Sequence, residues 1–274
     1  MTEHRVHSPV SSTQYDEAYF LSACEGFEEF LSSQGGHLSR RLSQAFALAE
    51  LKEGMRVLDI GCGRGEILFH CARLGANAYG VDYASAAVRL SRRVADSFEH
   101  AAEENQAQGK IGVCRSDAKH LPFPRGYFDR VLMFDIVEHL YPWELHQALC
   151  QVHRVLTPEG RLIVHTAPNR WYDQFAYPVV RLVRQMMRQG ERYPEDPRAL
   201  NVAVNVDVHV NEQDMVSLRR TLKKAGFRGQ VWLDTPPQNR KEGPLLAAVR
   251  HIAFNWPPLR WFFEREVFAV VSKV

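Results

Sequence analysis

Apolar residues along the chain keep to two rhythms that take turns. Short, mostly apolar runs at 56–60, 78–81, 111–114, 130–134, 161–166, 229–233 and 266–271 have the length and composition of buried strands. Between them apolar positions recur at helical spacing: Ile67, Leu68, Cys71 and Leu74, then Ala87, Leu90, Val94 and Phe98, then Leu145, Leu149, Val152 and Leu156, and last Met215, Leu218 and Leu222. Each set predicts a helix with one buried face. The punctuation agrees. Gly75 and Gly226 stand where the first and last of these helices should stop. Ser85 can cap the second, and Pro142 opens the third at a position where its missing N–H is harmless.

The flanks follow other patterns. Residues 1–14 are polar and expected to be disordered. Residues 15–50 read helical in pieces, with Tyr19, Phe20, Leu21, Phe27, Phe30 and Leu31 as an aromatic-rich face, a break at Gly35 and Gly36, and Leu38, Leu42, Ala45, Phe46 and Ala49 beyond it. Two stretches interrupt the alternation. In 171–207, Tyr177, Val179, Val180, Leu182, Val183, Met186 and Met187 alternate with Arg181, Arg184, Arg188 and Arg192, a basic amphipathic helix. The stretch 235–264 is rich in proline and apolar residues, among them Leu245, Leu246, Val249 and the run Trp261, Phe262, Phe263. These two insertions can pack on the domain or each other, form a homodimer contact, cover a site as a lid, or meet a membrane or lipid-linked molecule. No repeat or second domain is evident, so 15–274 is expected to be one domain.

Composition narrows the class. The 274 residues are 45% hydrophobic, ample for a core. Lys+Arg number 34 against 32 Asp+Glu, so no basic field argues for a nucleic-acid partner. The five cysteines are scattered, without a C-x-x-C pair, which predicts neither a disulfide framework nor a zinc knuckle. The first residues lack the apolar core of a signal peptide, and no apolar run approaches the ~18 residues of a membrane span. A cytoplasmic, reduced setting is the expectation.

The candidate chemistry centres on residues 55–66, MRVLDIGCGRGE. A strand ends in three glycines, Gly61, Gly63 and Gly65, and a helix follows. Such a turn lets a ligand approach the backbone and the N–H groups at the helix start. A dinucleotide fingerprint places its third glycine one residue later, where this chain has Glu66. Asp59, just before the glycines, would repel a pyrophosphate and suits a ligand with an ammonium and a sulfonium group. The run VLDIGCGRG resembles the first motif of the class I methyltransferases that use S-adenosylmethionine (SAM). Asp82 lies about 20 residues beyond the glycines, the spacing at which a carboxylate reaches ribose hydroxyls. Tyr83 beside it can pack on the adenosine.

Further segments extend the resemblance. Ser116, Asp117 and Ala118 match the place where the family's acidic residue accepts the adenine amino group and the next backbone N–H serves a ring nitrogen. Leu121, Pro122 and Phe123 look like its L-P-F loop, and the turn at 157–160 like its L-x-P-x-G-x-L. The 15–50 segment resembles the N-terminal cap of small-molecule methyltransferases, which implies that Tyr15 and Tyr19 line an acceptor pocket. Asp135, at the end of the fourth strand, is counted with the cofactor-facing residues. On a helix, Asp135, Glu138 and His139 would share one face. His139 can be a general base, the three can bind a divalent cation as in the similar E-x-x-E-H stretch of the metal-assisted ubiquinone-pathway O-methyltransferases, or the segment only orders a loop. His165 is expected to pack. His209, just before Asn211 as cap of the next helix, is a second candidate base, as often in this family.

The resemblance covers about 54–226 by motif and the final strand by pattern. It implies an α/β fold: a Rossmann-like, seven-stranded, mostly parallel sheet with helices on both faces, a helical cap and two insertions. The expected reaction is transfer of the SAM methyl to a small-molecule acceptor, with a hydroxyl of an apolar or lipid-linked compound as first choice. N- or C-methylation of a soluble metabolite, and a SAM-binding scaffold without turnover, are the alternatives.

Overall fold

The computed structural model describes residues 8–24, 26–33, 35–105, 109–200, 202–234, 251, 254, 256 and 258–274. Seven strands form one sheet: β1 Arg56–Ile60, β2 Asn77–Asp82, β3 Lys110–Arg115, β4 Phe128–Phe134, β5 Leu156–Thr166, β6 Phe227–Asp234 and β7 Glu266–Lys273. Their order is β3-β2-β1-β4-β5-β7-β6. β1 to β5 pair in parallel, while β7 runs antiparallel between β5 and β6, as the resemblance implies. Period-2 alternation sends successive side chains to opposite faces. Leu58, Val131 and Met133 enter one core layer with Leu145, Leu149 and Leu222; Val57, Leu132 and Phe134 enter the other with Leu68, Cys71 and Phe98. The helices on these layers are α4 Glu66–Arg73, α5 Ser85–Asn105, α6 Pro142–Val155 and α9 Met215–Lys224.

The cap is three short helices, α1 Glu17–Ser22, α2 Phe27–Ser33 and α3 Arg40–Ala47. After β5, a π-helical turn at Tyr172–Ala176 leads into α7 Tyr177–Met186, and a single turn, α8 Asn205–Val208, precedes α9. Helix α10, Leu259–Phe263, contributes Phe262 and Phe263 to a small cluster around Tyr172 and Tyr177.

Several expectations change. Residues 8–14 are not disordered: Ser12–Gln14 form a 3-10 turn, and the Val10 carbonyl accepts a hydrogen bond from the Tyr83 hydroxyl at 3.2 Å. The turn expected at 157–160 is part of β5, because the strand begins at Leu156. Asn211 does not cap α9; Asp214 does, accepting from the N–H groups of Val216 and Ser217. Of the insertion at 235–264, Leu245, Leu246 and Val249 lie outside the described residues. Among the described residues no helix is long and apolar enough to cross a membrane.

Candidate functional site

Two cavities adjoin at the C-terminal ends of the parallel strands, the place where open α/β sheets gather their chemistry. The larger, about 1090 Å³ counting its open mouth, is walled by the glycine turn, Asp59, Asp82, Tyr83, Asp117, Ala118 and Asp135, with Tyr15 and Tyr19 from the cap. All the cofactor-facing residues expected from sequence, save Gly65, therefore line one space. Gly65 instead supplies the tight helix–helix approach: a Cβ there would stand 2.9 Å from the Ser91 backbone. At Gly61, with φ of 76°, a Cβ would meet Ile136 at 2.8 Å. Only glycine serves at either position.

Carboxylates dominate the floor. Asp82 accepts from the N–H of Gly63 at 3.2 Å and of Ala84 at 2.8 Å, which ties the end of β2 to the glycine turn. Burial pushes its carboxyl up to about 6, against the pull of those N–H groups. Asp59 is 3% exposed, and burial, with Glu66 and Asp82 nearby, pushes it up to about 8. No cation among the described residues pairs with it. Asp117 is held by Lys119, whose ammonium lies 2.9 Å from one oxygen while its backbone N–H donates to the other.

Arg64, between the second and third glycines, was not singled out from the sequence, yet it fastens the roof. Its buried guanidinium donates to the carbonyls of Phe20 at 2.7 Å and Cys24 at 3.2 Å, pairs with Glu66, and faces the Phe30 ring. The cap is thus fixed from within the glycine turn. A fully buried arginine needs such partners.

The second cavity, about 680 Å³, shares Tyr19, Cys24, Asp135 and His139 with the first and adds Arg41, Glu138, Arg198, His209 and Arg265. The segment after β4 does not form the helix that would align Asp135, Glu138 and His139. Asp135 has a left-handed φ of 52°, and Val137–His139 make only a 3-10 turn. Asp135 therefore turns away from the other two. It accepts from Arg41 at 2.9 Å and bonds His165 Nδ1 at 2.8 Å. Although burial opposes it, Arg41 and His165 hold the Asp135 carboxyl far below the usual range. His165 is buried, as expected: burial alone would lower its pKa, yet Asp135 on one side and Glu266 on the other raise it to about 9.

A different trio converges instead. The Glu138 carbonyl accepts from the N–H groups of Val210 and Asn211, at 2.9 and 3.1 Å, and so brings His209 beside His139, ring centroids 4.8 Å apart. Ligand atoms of Glu138, His139 and His209 lie within 4.8 Å of one another. Burial, reinforced by Asp135, raises Glu138 to about 8; burial lowers His139 to about 4. Burial and the neighbouring His139 lower His209 to about 3. The histidines differ in freedom. His139 Nδ1 lies 3.0 Å from the Tyr15 hydroxyl and is engaged by it. His209 Nδ1 is buried without a hydrogen-bond partner among the described residues.

Comparisons with known proteins agree with this architecture. A family model described as a methyltransferase domain matches residues 58–164. A ubiquinone biosynthesis O-methyltransferase of Azorhizobium caulinodans is 33% identical over 136 residues, 50% of this chain and 49% of the relative. A demethylmenaquinone methyltransferase of Tropheryma whipplei is 27% identical over 181 residues, 65% of this chain and 69% of the relative. The chain spans about half the length of the first curated relatives it matches. In fold it is similar to a SAM-dependent methyltransferase of Methanosarcina mazei, TM-score 0.56 at 19% identity over 86% of this chain and 98% of the other. It is also similar to the [4+2]-cyclase SpnF, TM-score 0.58 at 20% identity over 97% of each chain. Residues 58–164 are thus a methyltransferase domain, set in a chain whose motif set and strand order resemble those of the class I methyltransferases that use S-adenosylmethionine.

Proposed function

We propose that this protein transfers the SAM methyl to a hydroxyl of a small molecule, with the cofactor in the larger cavity and the acceptor in the second. The residues present fit the cofactor. Asp59, Glu66 and Asp82 crowd three carboxylates around the glycine turn; Arg64 answers Glu66, and Asp59 is left to a cationic ligand. Asp82 would take ribose hydroxyls, Asp117 and the Ala118 N–H the adenine edge, and Tyr83 the adenosine face. When bound, the cofactor supplies a methyl on a positively charged sulfur, so the chain mainly has to position the acceptor.

The observation that carries the choice of a hydroxyl is His209, which lines the second cavity and whose buried Nδ1 has no hydrogen-bond partner among the described residues. A ring nitrogen there can accept the acceptor's proton. With its Nδ1 engaged by the Tyr15 hydroxyl, His139 is better placed to orient the acceptor than to take its proton. A base held near 3 is unprotonated at neutral pH but weak. It suits an acidic hydroxyl, such as a phenol, better than an alkanol. The relatives' names place two of them in quinone biosynthesis, which is compatible with a phenolic acceptor carrying an apolar tail. A panel of phenols, alkanols, amines and carbon acids, scored by S-adenosylhomocysteine formation, tests this. Turnover confined to amines or carbon acids contradicts it. Cofactor binding with no turnover on any of them supports the scaffold reading.

A second reading has its own observation. One carboxylate and two imidazoles within 4.8 Å form a donor set that suits a transition metal. The Asp135, Glu138, His139 set expected from sequence loses Asp135 to Arg41 and His165 and gains His209. Turnover that survives exhaustive chelation removes this reading.

A further inference from the structure

Helix α7 faces the wrong way for a helix of a self-contained domain. Its inward face carries Tyr177, Arg181 and Arg184. Tyr177 is buried and donates to the Pro194 carbonyl at 2.7 Å. Arg181 donates to the Tyr193 carbonyl at 3.3 Å, and Arg184 bonds Gln189 at 2.9 Å and lies over the Tyr193 ring. The outward face carries the apolar stripe. Val179, Leu182 and Met186 are 55, 59 and 78% exposed, and their spacing puts them on one line along the helix, with Phe175 of the preceding turn 56% exposed. Phe175 also meets Phe262 of α10, 5.5 Å between ring centroids, and Trp261 beside it is exposed. A single exposed leucine needs no explanation, but a continuous apolar stripe with the polar side turned inward marks an interaction surface.

We propose that this stripe docks the protein on an anionic lipid bilayer, α7 lying in the plane of the interface. Charge decides among the occupants. Residues 174–192 contain Arg181, Arg184, Arg188 and Arg192 against one carboxylate, Glu191. Arg188 and Arg192 are exposed at the end of the stripe. A two-fold contact between copies would present the same arginines on both sides with a single glutamate per copy to answer them. Anionic headgroups beside an apolar interior match both features. The placement is apt for function as well. The loop that follows α7 brings Pro197, Arg198 and Leu200 to the wall of the second cavity, so a docked helix would hold that cavity next to the bilayer.

Sedimentation with vesicles tests the docking without cofactor or acceptor, so it stands or falls independently of the proposed reaction. The full chain is expected to pellet with phosphatidylglycerol-rich vesicles at low salt and not with neutral phosphatidylcholine vesicles, and to be released by high salt. Leu182→Glu with Met186→Glu, both at exposed positions, should lower the bound fraction by on the order of tenfold or more while leaving the melting temperature unchanged. Arg188→Glu with Arg192→Glu should weaken binding in the same direction. The proposal is overturned if the wild type ignores anionic vesicles, if it binds neutral ones equally, or if the Leu182/Met186 variant binds as before. It is equally overturned if the same variant converts a dimer to a monomer with no vesicle affinity in either form.

Discussion

At the residue scale, the proposed reaction would separate groups that hold the cofactor from groups that manage the acceptor's proton. Asp82 belongs to the first kind: two backbone N–H groups fix its carboxylate at the cavity wall. Asp82→Ala should weaken SAM binding by about 1–3 kcal/mol, the cost of leaving ribose hydroxyls without a partner; calorimetry giving unchanged affinity would remove Asp82 from the site. His209 and His139 belong to the second. His209→Gln should lower turnover ~10²–10⁴-fold while SAM still binds. His139→Ala should act mainly through KM for the acceptor, because that ring is engaged by Tyr15. The reverse pattern in steady-state kinetics would exchange their roles. Gly61, Gly63, Asp59 and Asp82 were legible in the sequence because a glycine turn between carboxylates has few other uses. Arg64 was not, since nothing local reveals that its side chain reaches Phe20 and Cys24, 44 and 40 residues away.

At the scale of elements, periodicity predicted well wherever an element is two-sided or one-faced. The seven strands and the helices α4, α5, α6 and α9 lie where the apolar rhythm puts them. It failed where local backbone geometry overrides spacing. Asp135, Glu138 and His139 are spaced for one helix face, but Asp135 sits at φ of 52° and only a 3-10 turn follows. What holds that conformation is non-local: Arg41 from the cap and His165 from β5 both claim the carboxylate. Asn tolerates the left-handed region about as well as Asp, so Asp135→Asn removes the charge without the backbone. It should lower the His165 pKa from about 9 toward the ordinary 6.5 and loosen the cap through Arg41. An NMR titration showing His165 unmoved would contradict this coupling. Helix α7 was legible as amphipathic, but which side it shows to solvent was not, because that depends on Tyr193 and Pro194 folding back beneath it.

For the whole molecule, the perturbed groups combine into a pH profile. His139 and His209 are depressed, so below the ordinary histidine value of 6.5 the unfolded chain binds more protons and stability rises with pH. Asp59 and Glu138, raised to about 8, and His165, raised to about 9, act oppositely. Each favours folding while it keeps a proton that the unfolded chain has released, and that contribution is lost as pH rises through its folded value. Without ligand, the melting temperature should fall as pH rises from 7 to 9. Bound SAM should flatten the alkaline limb, because its positive charge favours the ionised Asp59, and binding should release a proton measurable in buffers of different ionisation enthalpy. A melting temperature that still climbs between pH 7 and 9 would contradict the assignment of those three groups.

The central claim, methyl transfer to oxygen, is tested most directly with SAM carrying a deuterated methyl group. The protein is incubated with the labelled cofactor and phenolic acceptors bearing an apolar tail, and the products are resolved by mass spectrometry and NMR. The account predicts one labelled methyl on an acceptor oxygen for each S-adenosylhomocysteine formed, lost in His209→Gln. A label found on nitrogen or carbon, or a protein that binds SAM yet labels no acceptor, would contradict it.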